Sequence, residues 1–130
     1  MRKVKIYIAR PYTNGIKEEN VKLQMDATYH LIMLGFNPYM PIYHYFIQKD
    51  HPDMTEHTVD WVKEIDLPWL ECCDMAIRLH PKDKFGVEIP SPGANKEEAF
   101  CKENGIPMFH FNTIEDMAKQ MSVFDQNTIE

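Results

Sequence analysis

The chain has 130 residues and a mass of 15.4 kDa, 44% of it hydrophobic and 26% charged, with a formal charge of −6. At this size folding hides roughly two-thirds of the unfolded surface, so one domain over residues 1–130 can build its core without disulfides or a structural metal. Disordered and collagen-like classes are excluded. Apolar runs such as Tyr29 to Phe36 fall far short of the roughly 20 residues a bilayer requires, and no signal-peptide pattern follows Met1, so the expectation is a cytoplasmic protein without membrane contact. Three cysteines, two of them adjacent at Cys72 and Cys73, form neither a disulfide framework nor a zinc motif and suit a reducing compartment. The acidic balance and the lack of a basic stripe argue against a nucleic-acid polymer as partner and leave small nucleosides or nucleotides open.

Lys3 to Ala9 reads as a short apolar strand, and Pro11, Asn14 and Gly15 punctuate the turn after it. From Ile16 to Leu34 apolar residues recur at Leu23, Ala27, Leu31 and Leu34, the spacing of a buried helical face, with Gly35 as its stop. Phe36 to Ile42 resumes as extended chain, and Pro38 and Pro41 assign it to the sheet margin. Residues 43–55, rich in aromatics, histidines and turn formers, read as a loop and candidate lid. Thr58 to Cys72 is helical by pattern, but Pro68 lacks a donor and must kink or restart the helix near Glu64 to Leu67, leaving Asp66 at a break.

Asp74 to Leu79 follows as a third strand, with Asp74 itself read as a cap or turn residue, and residues 80–92 as a charged loop. Ser91 caps the next helix, Pro92 occupies its first position and Gly105 ends it. Ile106 to Phe111 is a fourth strand, and Thr113 to Asp116 resembles a loose capping box opening a last helix. Strands alternating with helices imply parallel pairing through right-handed crossovers, hence an α/β three-layer sandwich with a flavodoxin-like sheet of four to five strands. In such sheets ligands bind at the carboxyl ends of the strands.

The five glycines are scattered and match neither a dinucleotide fingerprint nor a phosphate-binding loop. His44, His51 and His57 lack ligand spacing, so no metal and no cofactor is expected. What stands out is Ser91-Pro92-Gly93 followed by Glu97, at the start of a helix whose amino end faces the ligand rim. Glu97 is in the second turn, and side chains tilt toward a helix's amino terminus. Backbone amides and the Ser91 hydroxyl offer a cradle for an anion or a sugar hydroxyl. The competing reading is a solvated carboxylate that merely complements the helix dipole, with neighbouring Glu98 as the natural control.

Four segments together carry a resemblance: Tyr7-Ile8-Ala9-Arg10-Pro11-Tyr12, Asp66 through Asp74, Ser91-Pro92-Gly93 with Glu97, and Gly105-Ile106-Pro107. In order and spacing they resemble the nucleoside 2-deoxyribosyltransferase-like superfamily over residues 4–110, closest to a small phage- and bacteria-associated branch opening on a Y-[IL]-A-x-P-Y motif. That superfamily includes nucleoside deoxyribosyltransferases and 2′-deoxynucleoside 5′-phosphate N-hydrolases. The resemblance implies that Glu97 attacks the anomeric carbon, that Asp66 handles the leaving base, and that Tyr7 orients the nucleophile. It also implies that Ser91 opens the substrate cradle with Gly93, as in the phosphate-accepting N-hydrolases. Arg10 replaces a residue that is commonly glycine, and the Asp74 to Ser91 segment is longer than in either characterised branch.

The residues make this chemistry coherent. Breaking a C–N glycosidic bond develops positive charge on the sugar and negative charge on the base, so one carboxylate traps or stabilises the cation while a second acid protonates the base. Arg10, with a guanidinium matched to phosphate oxygens, and Tyr12 in the same turn are candidate substrate-binding residues. Tyr43, Tyr45, Phe46 and Trp61 are candidates for stacking on a base or, equally, for packing. In the resembled family a carboxy-terminal segment completes a neighbouring subunit's site. Ser122 has the corresponding separation from Glu97, which implies a homo-oligomer. The expected activity is cleavage of the N-glycosidic bond of a (deoxy)nucleoside or its 5′-monophosphate through a glutamyl-sugar intermediate, with transfer to another base. The alternatives are transfer to water and a nucleotide-binding module without turnover.

Overall fold

The structure, a computed structural model, describes residues 3–9, 17–41, 43–54 and 60–124, with side chains at 17, 43 and 44 left aside. Ten segments follow in order: β1 (Lys5–Ile8), α1 (Lys17–Met33), β2 (Asn37–Tyr39), α2 (Tyr43–Asp50), a π-helical turn (Trp61–Asp66), α3 (Leu67–Glu71), β3 (Met75–Leu79), α4 (Pro92–Asn104), β4 (Met108–Phe111) and α5 (Ile114–Ser122). The described strands form one sheet in the order β2-β1-β3-β4, and all three pairings are parallel. Ile6 stands opposite Pro38 on one side and Met75 on the other, and Ala76 stands opposite Met108. The fold is an α/β sandwich of the flavodoxin-like type. No helix among the described residues is long and apolar enough to cross a membrane.

Two-residue alternation divides the strands between two layers. Val4, Ile6, Ile8, Met75, Ile77, Leu79 and Phe111 pack with Ala27 and Leu31 of α1 and Met117 and Met121 of α5. On the opposite face Tyr7 and Ala76 pack with Leu70 of α3 and Cys101 of α4. The edge position of β2 explains how Pro38 is tolerated inside a strand. Asp74 is structural, since its Oδ2 accepts the Lys5 amide at 2.8 Å while its own amide donates to the Lys5 carbonyl at 2.9 Å.

The helix ends follow the sequence signals. Gly35 adopts φ +91°, and the amides of Gly35 and Phe36 reach back to Ile32 and Leu31, closing α1 with its last carbonyls satisfied. Gly105, at φ +68°, ends α4 in the same left-handed conformation, with the Ile106 amide on the Cys101 carbonyl. Thr113 Oγ1 accepts the Asp116 amide at 3.0 Å and opens α5.

One expectation is overturned. The candidate lid at 43–55 is not a loop: Tyr43–Asp50 forms α2, and residues 55–59 lie outside the described part. Between Pro41 and Pro52 no residue breaks a helix, and the eight residues of α2 contain neither glycine nor proline. The aromatics and histidines of this segment have only weak helix propensity, which packing easily outweighs.

Candidate active site

Two helical segments on one face of the sheet, each anchored to it one turn below a carboxylate, build the site. Cys101 and Leu70 both belong to the cluster around Tyr7, with exposures of 1% and 0%. One turn toward the amino end from each stand Glu97 on α4 and Asp66 at the end of the π-helical turn. Glu97 is 0% exposed, Asp66 1% and Tyr7 0%. All three take part in interactions, so none is an isolated polar group. Helix α4 packs against both α3 and the π-helical turn, which ties the two carboxylate-bearing segments together.

The amino end of α4 is built as the sequence signals. Ser91 is extended at φ −136°, its Oγ accepts the Ala94 amide at 3.1 Å, and its carbonyl accepts the Asn95 amide at 3.0 Å. Pro92 follows where no amide is needed. Ser91 and Gly93 are both buried. Since α4 is entered from the carboxyl end of β3 through residues 80–91, this end stands at the ligand rim. Glu97 is therefore not the solvated carboxylate that a helix-terminal position alone allowed. Its negative charge reaches along the helix: burial, then Glu97, then Glu98 push the Cys101 thiol up to about 11.

Asp66 owes its position to the way the chain accommodates Pro68. The Leu67 amide bonds to the Val62 carbonyl, five residues back, which is a wider turn than an α-helix makes. Pro68 then falls in the first turn of α3, where its missing donor costs nothing. At the other end Asp60 accepts the Lys63 amide at 3.1 Å, while Glu64 accepts the Asp60 amide at 3.1 Å. The wide turn carries Trp61, Val62 and Asp66 inward. Such turns recur at functional sites because they re-aim one side chain without breaking the helix.

The remaining candidates are distributed differently. Arg10 and Tyr12 lie outside the described residues, as does the side chain of Tyr43. Ser122 ends α5, its hydroxyl donating to the Lys119 carbonyl at 2.6 Å, and the adjoining Phe124 packs on Phe36 at the amino edge of the sheet. Ser122 is thus remote from Glu97 within its own chain. Tyr45 and Phe46 pack edge to face on each other, and Trp61 is 7% exposed in the wide turn.

Three features escaped the sequence reading. A stack runs inward from the surface, Trp69 of α3 on Tyr39 of β2 at 5.4 Å and Tyr39 on Tyr7 at 5.7 Å, so the buried tyrosine ends an aromatic chain that reaches the surface. Glu98 is no plain control for Glu97: its Oε1 accepts Arg78 Nη1 at 3.1 Å, with Lys102 at 3.5 Å and His110 at 3.6 Å. His110 Nδ1 meets His80 Nε2 at 2.8 Å, and His80 Nδ1 meets Glu88. The arginine interrupting the apolar run Met75 to Leu79 was the available signal for this network. The third feature is Gln24, 0% exposed on the inner face of α1, whose carboxamide makes no hydrogen bond among the described residues.

Comparison of the chain with protein-family models and with curated proteins returned no match.

Proposed function

We propose that the chain is a nucleoside 2-deoxyribosyltransferase-like enzyme that cleaves the N-glycosidic bond of a (deoxy)nucleoside or its 5′-monophosphate and passes the sugar to another base. The observation that carries this reading is the pair of buried carboxylates, Glu97 and Asp66, on adjoining helical segments that pack through Cys101 and Leu70 in the cluster of the buried Tyr7. Burying carboxylates costs stability, and a fold that buries one on each of two helical segments packed against each other is expected to use them for chemistry. In the first step a Glu97 oxygen bonds to the anomeric carbon as the C–N bond breaks, and the bond's electron pair leaves with the base, which takes a proton from Asp66. In the second step the ring nitrogen of an incoming base attacks the same carbon and gives its proton to Asp66, and the Glu97 carboxylate is released. Tyr7 holds the nucleophile, and Ser91, Gly93, Arg10 and Tyr12 hold the sugar or its 5′ substituent.

The near-complete burial of both carboxylates favours transfer to a base over transfer to water, because a water-poor site protects the intermediate. Hydrolysis of a nucleoside 5′-monophosphate is the second reading, favoured by Ser91 at the head of the cradle. No bound cofactor or metal enters the reaction. Free cysteines at 72, 73 and 101 support a reducing, cytoplasmic setting. A homo-oligomer in which a neighbour's carboxy-terminal segment, including Ser122, completes the site accords with the distance of Ser122 from its own Glu97.

The test is a chromatographic screen of deoxynucleosides, ribonucleosides and their 5′-monophosphates, each with and without a second free base. A new nucleoside that requires the added base is the expected product, and base release without it assigns hydrolysis instead. Glu97→Gln should abolish either. Absence of turnover across a panel whose members raise the melting temperature would replace the enzyme by a binding module.

A further inference from the structure

Helix α1 is apolar on two sides. Its inner face carries Ala27 and Leu31 into the core. Its outer face carries Met25, Tyr29, Ile32 and Met33, which are 50%, 60%, 54% and 69% exposed. Counted at 100° per residue from Met25, these four fall within an arc about 100° wide, a continuous stripe rather than scattered side chains. The helix's acidic and lysine side chains all precede Ala27: Glu18 and Glu19 open the helix and Lys22 pairs with Asp26 at 3.0 Å. Together the four side chains leave roughly 500 Å² in the water, as large as the biggest patch an ordinary monomer exposes.

We propose that this stripe is a self-association surface on which a second copy lays its own α1 antiparallel, about a twofold axis at Tyr29. The inference does not depend on the glycosidic chemistry. A twofold axis at the stripe's midpoint sets Tyr29 against Tyr29 and Met25 against Met33, so the patch is complementary to itself, as an isologous interface requires. Two stripes remove roughly 1,000 Å² from water, and the flanking Lys22, Asp26 and His30 bring the contact to the lower end of specific interfaces, about 1,200 Å². The other occupants fit less well. A membrane surface is disfavoured because the flanks are acidic and the chain's net charge is −6, whereas interfacial helices carry a lysine- and arginine-rich polar face. A peptide is disfavoured because the outer face of one helix is a ridge and peptides dock in grooves. A ridge of methionines around a tyrosine suits interdigitation with its own copy, the side chains of one helix filling the gaps of the other.

The experiment is sedimentation velocity of the full chain from low micromolar to several hundred micromolar. A concentration-dependent monomer–dimer equilibrium is expected, weakened at least about tenfold by Tyr29→Glu and by Met33→Lys, both exposed positions whose melting temperatures should stay near the parent's. In a Cys72→Ser background, Tyr29→Cys should form a covalent dimer under mild oxidation, because the axis brings position 29 onto itself. A monomer at every concentration, or a dimer indifferent to both charged substitutions, overturns the proposal. Flotation of the parent, but not of Met33→Lys, with uncharged phosphatidylcholine vesicles would assign the stripe to lipid and overturn it equally.

Discussion

Removing Glu98 should cost stability, and the cost is expected to be asymmetric across its ion pair. The Arg78 side chain is 9% exposed and Glu98 25%. Glu98→Ala therefore leaves a guanidinium that water barely reaches, whereas Arg78→Met leaves a carboxylate that can still turn to Lys102, His110 or solvent. Losing one partner of a fully buried pair costs about 3–5 kcal/mol, and partial exposure here lowers the expectation to about 2–3 kcal/mol for Glu98→Ala and about 1 kcal/mol for Arg78→Met. With an unfolding entropy of about 2 cal/mol/K per residue, each kcal/mol moves the melting temperature of a chain this long by about 4 °C. Glu98→Ala should therefore melt about 8–12 °C below the parent in calorimetry at pH 7. The double variant should lose less than the sum of the singles, because it leaves no orphaned charge. Equal small losses from the two singles, or strict additivity, would refute the argument that Arg78 depends on Glu98. The consequence for function is direct: a Glu98 variant compared with a Glu97 variant must be assayed well below its own melting temperature, or instability will pass for lost catalysis.

Gln24→Met should stabilise the chain by about 1–2 kcal/mol, because it replaces a buried carboxamide without a described partner by a side chain of similar length; a lower melting temperature would mean that something satisfies that amide. Acid should weaken the fold through the network around Glu98. Burial, His80, Arg78 and Lys102 outweigh Glu98 in holding His110 below its ordinary 6.5. Glu98 is raised by burial but held below 4.5 by Arg78, His110 and Lys102, and the hydrogen bond to His80 does the same for Glu88. Depressed values mean that this stability is complete at neutral pH and is lost as pH falls, first below about 6.5 and then below about 4.5. The melting-temperature difference between the parent and His110→Asn should therefore shrink from pH 7 to pH 5, and a difference that grows would contradict it. Gly105→Ala should cost about 1 kcal/mol in denaturant unfolding, since the space is open but φ is +68°.

Much of the architecture was legible because it rests on short-range chemistry. The periodicity of Leu23, Ala27 and Leu31, the stops at Gly35 and Gly105, the Ser91 and Thr113 caps, and the edge assignment of the proline-bearing β2 all express backbone and side-chain preferences that act within a turn or two. Helix α2 was missed because aromatic and histidine residues have weak preferences of their own and take the form that packing imposes. For the site, the spacing of Ser91 and Glu97 singled out one carboxylate, whereas the break at Pro68 only located Asp66 in the chain and its candidacy came from the family resemblance. Their burial could not be read, because it depends on what Leu70 and Cys101 meet across the sheet.

The sequence by itself determined the order of the four strands and of α1, α4 and α5, the parallel pairing and the ends of those helices, since these follow from local conformational preference and from the short connections that force right-handed crossovers. Only the tertiary structure decided that Glu97 is enclosed while Glu98, one residue on, is drawn into an ion pair with Arg78 beside His110. A single step along a helix is a rotation of about 100°, and which side of that rotation faces protein and which faces water is settled by neighbours distant in the chain.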